Sequence, residues 1–292
     1  MMNSSGPVVP EPISPTVGRR WLAQEVRRLR ETAGLKQSDV AKRLRCNAAK
    51  IAHMESMRNT ISGPDLEVML ALFDVPSERV EWYLRLAELA KEKGWWDGNR
   101  AVPDWFSLYV GLEWGADRIR EWDLGFPPGI LQIRSYIEAL VRGEDGPSEV
   151  EVRELVEARL RRQEALWRRE EPLWMHAIVD EAALRRRVGG AEVMREQLRY
   201  LAEVGRWENV TVQVLPFAVG PHRGHLGTFH WLGFPRAGDP GVVYLENQRG
   251  GIYLEEVDEV AMFNGVFESL AEQALSAAES ADFLSELAEE IV

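Results

Sequence analysis

A single cysteine, Cys46, among 292 residues excludes an internal disulfide framework and any metal or iron–sulfur site built from several thiolates. This points to a reducing compartment, and Cys46 reads as a packed thiol sealing a turn between two helices. Long apolar runs are also missing. No window approaches the ~18–20 uninterrupted apolar residues that a membrane helix needs. The opening stretch MMNSSGPVVPEPISPTVG lacks the charged-then-apolar order of a signal peptide. Its proline content predicts a disordered arm over residues 1–16 instead. No G-x-S-x-G, HExxH or phosphate-binding glycine loop occurs. The four histidines after residue 100 are His176, His222, His225 and His230. The spacing His222-x-x-His225 falls in a glycine-rich stretch with no third ligand at a telling distance. A cytoplasmic protein that is not an enzyme, with no cofactor and no metal, is the expectation.

What is present is a charge of two signs in two places. The chain carries a formal −12, which argues against a polyanionic partner until it is divided. Residues 17–94 hold 15 Lys/Arg against 11 Asp/Glu, and within Arg19–Arg58 the balance is 11 to 4. Residues 95–292 hold 20 basic and 35 acidic groups. A basic head on an acidic body confines phosphate contacts to the head.

Hydrophobic spacing divides the chain further. Leu22, Val26, Leu29 and Ala33 recur at helical intervals up to Gly34. Short helices are predicted over 37–45 and from Asn47, a good N-cap, with Ala48, Ile51 and Met54 inward. Two more are predicted over 65–73 and 77–93, so residues 17–94 make an all-α five-helix domain. Trp95-Trp96-Asp97-Gly98-Asn99 marks the boundary to a second domain, 95–292. That part opens with helices predicted over 107–121, 133–142 and 148–169. Helical stretches over 181–188 and 191–203 follow, and the chain closes with one or two helices from Asp258. Short β-branched and aromatic runs at 174–179, 210–216, 228–234, 242–246 and 252–254 read as strands. The expected class is α+β with a mainly antiparallel sheet and a C-terminal helical segment.

The segment LKQSDVAKRLRCNAAKIAHMESMR, Leu35–Arg58, has the spacing of a helix-turn-helix: a short helix, a tight turn at Arg45-Cys46, and a capped helix with one apolar and one polar face. Its residues resemble the Xre, or phage-repressor (Cro-like), family at Gln37, Ala41, Leu44, Ile51, Glu55 and Arg58, preceded by Gly34-Leu35. The resemblance implies binding to double-stranded DNA and assigns roles. Gln37 would bond a phosphate and brace the recognition helix. Arg30 and Glu55 would form a buried ion pair. Asn47, Ala48, Ala49, Lys50 and His53 would face the groove, and Arg58 and Asn59 would hold phosphate. Four departures stand out. Lys36 replaces the usual Ser or Thr cap, Arg45 the turn glycine, Met57 the glycine after the recognition helix, and Ala48-Ala49 the usual polar readers. Alanine touches a thymine methyl but cannot make bidentate bonds to a purine, so direct readout rests on Lys50, His53 and Asn47.

The second domain resembles the C-terminal domain, of unassigned activity, found in actinobacterial developmental and antitoxin-like regulators. The matching blocks are GLEWGADRIREWDLGFPPGILQI (Gly111–Ile133), RLRRQEALW (Arg159–Trp167), VDEAALRRRVGG (Val179–Gly190), MREQLRYLAE (Met194–Glu203), VTVQVLPFAVGPHRGHLGTFHWLGFP (Val210–Pro235) and VVYLEN (Val242–Asn247). Ile133 departs from a threonine common in that group. The resemblance implies a nucleoid-associated regulator modulated by a small partner protein or ligand. Its alternative is an antitoxin-like interaction module with secondary autoregulatory DNA binding. A homodimer is expected, because one recognition helix covers few base pairs, and Phe263, Val266, Phe267 and Leu270 offer an apolar stripe for it.

Overall fold

A computed structural model describes residues 14–143, 146–167 and 171–291. The expected disordered arm lies outside these residues, apart from its last three. The chain separates into two compact units, one ending at Asp97 and one beginning at Gly98.

The first unit holds five helices: α1 (Pro15–Thr32), α2 (Gln37–Leu44), α3 (Ala48–Glu55), α4 (Gly63–Leu72) and α5 (Ser77–Leu89). Helix α1 starts two residues earlier than its apolar spacing suggests. Ser14 caps it, accepting the Val17 N–H at 3.2 Å, and Pro15 occupies the first turn, where no N–H is needed. The core combines Trp21, Leu22 and Val26 of α1 with Val40, Ile51, Met54, Leu66, Met69, Tyr83 and Leu86, all at most 3% exposed. Tyr83 donates to Glu25 at 3.0 Å and so ties α5 to α1.

The second unit is an α/β domain around one six-stranded sheet. Its elements run α6 (Asp104–Gly115), β1 (Arg118–Asp123), α7 (Arg134–Arg142), α8 (Glu149–Gln163), β2 (Trp174–Asp180), α9 (Glu181–Arg185), α10 (Ala191–Val204), β3 (Val210–Leu215), β4 (Phe229–Gly233), β5 (Val242–Asn247), β6 (Gly250–Leu254), α11 (Val257–Gln273) and α12 (Ala277–Glu290). The strand order is β3-β2-β1-β4-β5-β6. The pairs β3–β2 and β2–β1 are parallel, and the other three are antiparallel. The sheet is thus mostly antiparallel, with helical crossovers only where parallel neighbours require them.

Two expectations are corrected here. The helix expected over 107–121 ends at Gly115, and Arg118–Asp123 is a strand at the centre of the sheet. Its two faces are both covered: Trp122 joins the apolar core on one side, while Glu121 is buried on the other. Arg118 and Arg120 share the face of Trp122, and Ile119 shares that of Glu121 and Asp123, so polar–apolar alternation is absent and four charged residues in six conceal a strand. The stripe Phe263, Val266, Phe267 and Leu270 is not a free face. Phe267 and Leu270 pack against Trp122, Ile178, Phe229 and Val243 of the sheet, with Phe263 and Val266 beside them.

Candidate nucleic-acid interface

The helix-turn-helix is assembled around one carboxylate. Glu55, at the end of α3, receives Arg30 Nε at 2.6 Å and Arg30 Nη2 at 3.0 Å. The Gln37 amide donates to the same carboxylate at 2.8 Å. Arg30 also donates to the Leu35 carbonyl at 2.8 Å. The end of α1, the start of α2 and the end of α3 are thereby locked by charge-assisted bonds, which fixes the angle at which α3 is presented. Hydrogen bonding to Glu55, outweighing the cost of burial, holds the Arg30 guanidinium charged, with its pKa raised. Gln37 braces α3 through its amide nitrogen, which donates one of its two N–H groups to Glu55.

Asn47 caps α3, its Oδ1 accepting the Lys50 N–H at 2.8 Å. The oxygen that would read a base is therefore engaged within the protein. The Lys50 ammonium reaches across to α4 and pairs with Asp65 Oδ2 at 2.8 Å. This hydrogen bond raises the Lys50 pKa. Sequence reasoning missed Asp65; it lies fifteen residues downstream on another helix, and no local pattern links it to Lys50. With Ile51 and Met54 buried, helical geometry turns Ala49, Ala52, His53 and Ser56 to the opposite side. Ala48 and Ala49 are exposed and His53 half-buried; Arg58 and Asn59 are exposed in the loop that follows.

Positive charge is distributed unevenly over this unit. On α1, Arg27 is paired with Glu31 at 3.2 Å, Arg28 with Glu25 at 2.8 Å and Arg30 with Glu55. By contrast Lys36, Lys42, Arg43, Arg45 and Arg58, on or beside α2 and α3, are exposed and form no ion pair among the described residues. Among the described residues, five uncompensated cations thus lie around the helix-turn-helix, against two, Arg79 and Lys93, on and after α5.

The departures from glycine have a conformational cost. Arg45 adopts φ 54° and Met57 φ 60°, both left-handed, a region that disfavours a side chain with a Cβ. Lys36 makes up for its missing cap through Asp39, whose carboxylate accepts the Lys36 N–H at 3.0 Å. Arg45→Gly is expected to stabilise the unit by ~0.5–1 kcal/mol, measured by urea denaturation. A loss of stability would show that the Arg45 side chain contributes more than its backbone costs.

A helix-turn-helix domain family matches residues 21–82, spanning the Arg30–Glu55 lock and the whole of α2 and α3. A domain family of unknown function, DUF5753, matches residues 106–286, which spans the six-stranded sheet. No curated protein and no solved structure shows significant similarity to the chain. Among the described residues no helix is long and apolar enough to cross a membrane. The chain belongs to the DUF5753 family and carries a helix-turn-helix domain, the fold of a DNA-binding regulator, ahead of that domain.

Proposed function

We propose that this chain is a sequence-specific, DNA-binding transcription regulator of the Xre type, acting at the nucleoid as a homodimer. Its second domain adjusts DNA binding in response to a small partner protein or ligand and catalyses no reaction. The observation that carries the reading is the set of unpaired cations around α2 and α3, while Arg27, Arg28 and Arg30 of α1 are paired within the protein. Unpaired cations exchange counterions for phosphates and so supply affinity. The exposed face of α3 supplies sequence preference. With Ala48 and Ala49 at its start, that face discriminates through thymine methyl contacts, His53 and Lys50, and two half-sites are needed for useful specificity.

Selection from a pool of random duplexes by the full-length protein tests this. The expected product is a motif of two half-sites with centres about one helical turn apart, bound with affinity that falls steeply as salt rises. A pool that stays random after repeated selection would contradict it.

The Lys50–Asp65 pair sets a further expectation. Asp65→Asn releases the ammonium and removes a negative charge beside the groove-facing helix. Stability should barely change, because half-exposed pairs contribute ~0.2–1 kcal/mol at most. Affinity for the selected duplex should rise several-fold, because the freed ammonium becomes available to a base edge. Unchanged affinity in a fluorescence-anisotropy titration would place Lys50 away from DNA.

A further inference from the structure

On the face of the sheet opposite α11, strand geometry brings three metal-ligating side chains together. Glu121 and Asp123 are two residues apart on β1 and so point the same way. His230 on β4 is the direct antiparallel partner of Glu121. One ligand atom from each of the three can be chosen so that all lie within 4.8 Å of one another. We propose that Glu121, Asp123 and His230 bind a divalent transition-metal ion of the zinc class, with one imidazole nitrogen and two carboxylate oxygens as ligands.

Three observations support the site. The first is unused bonding capacity: Glu121 Oε2, Asp123 Oδ2 and His230 Nε2 are each buried without a hydrogen-bond partner, and Glu121 is only 1% exposed. Buried polar atoms nearly always find partners, so three orphans in one cluster mark a place for something that accepts lone pairs. The second is charge. Glu113, Glu121 and Asp123 are buried together with one guanidinium, that of Arg162, which is already bonded to Glu113 at 2.6 and 2.7 Å. Two carboxylates are left over, the charge of one divalent cation.

The third is ring orientation. The Tyr109 hydroxyl sits 2.9 Å from His230 Nδ1 and 3.2 Å from Glu121 Oε1. It occupies Nδ1 and leaves Nε2 facing Asp123 Oδ1 at 3.6 Å. Metal-bound histidines are characteristically held in this way through their other nitrogen. A mixed nitrogen–oxygen set of three suits zinc or a neighbouring first-row ion better than magnesium or calcium. The His222-x-x-His225 spacing plays no part: His225 Nδ1 bonds the His222 carbonyl at 2.8 Å, and His222 faces Asp180 at 3.8 Å.

The test uses full-length protein stripped with a chelator, loaded with zinc and desalted. One zinc per chain should remain, and His230→Gln and Asp123→Asn should each weaken binding by more than ~100-fold while circular dichroism stays that of the parent. Zinc-edge X-ray absorption on the unmutated protein, which does not depend on the variants folding, should show one imidazole and oxygen neighbours at ~2.0–2.2 Å. No retained zinc, equal retention by a folded His230→Gln, or a spectrum with two or more imidazoles would each overturn the proposal.

Discussion

Glu55→Ala is expected to destabilise the N-terminal unit by ~3–5 kcal/mol, because it leaves Arg30 charged and nearly enclosed with no carboxylate to answer it. The Arg30 side chain is 10% exposed and that of Glu55 4%. Both guanidinium bonds to Glu55 and the Gln37 brace converge on the same two oxygens. Removing Glu55 therefore breaks three bonds together, and α3 loses the contact that fixes its C-terminal end. Replacing both charges, Arg30→Met with Glu55→Leu, removes the stranded ion and should cost clearly less than the single change. Urea melts that report on the first unit, where Trp21 is fully buried, give the comparison. A single mutant no worse than the double would show that the bridge contributes nothing specific.

Arg162→Met should have a comparable effect on the second unit, ~3–5 kcal/mol. Its guanidinium is the partner of Glu113, which is 1% exposed, and it lies over the rings of Phe106 and Tyr109 at 5.2 and 5.5 Å. Without it, Glu113, Glu121 and Asp123 are left as buried carboxylates around Tyr109. The double change Arg162→Met with Glu113→Leu should recover much of the loss. Full recovery is not expected, since the ring contacts are gone as well. Equal loss in single and double variants, read from thermal unfolding of the second unit, would show that the pairing is not what stabilises α6 against α8.

Helices α1, α2, α3 and α5 were legible from period-3.6 apolar faces, with local stops or starts such as Gly34 after α1 and Asn47 before α3. The Arg30–Glu55 pair follows from the resemblance to the Xre family, and the geometry has both partners in contact. Strands β2 to β6 were legible from β-branched and aromatic runs between glycines and prolines. Strand β1 was not, because each of its faces mixes charged and apolar residues, Arg118, Arg120 and Trp122 on one and Ile119, Glu121 and Asp123 on the other, so there is no alternation to read. The Glu121–Asp123–His230 cluster was hidden with it: the expected helix ended at Glu121 and left Asp123 beyond it, and only the β1–β4 register brings His230 to them. Asp65 shows the same limit in the first unit. A contact between two helices fifteen residues apart leaves no local pattern.

The central claim is that α3 reads sequence while the surrounding cations hold the backbone. It is tested most directly by titrating Lys50→Ala and Arg58→Ala full-length protein against the selected duplex and a scrambled one, across a salt series. Phosphate contacts position without specifying, and base contacts specify. Lys50→Ala should lose ~1–3 kcal/mol on the selected duplex and almost nothing on the scrambled one. Arg58→Ala should weaken both equally and lower the salt slope by about one. If both variants bind both duplexes as tightly as the parent, α3 and its flanking loop do not contact DNA, and the account is wrong.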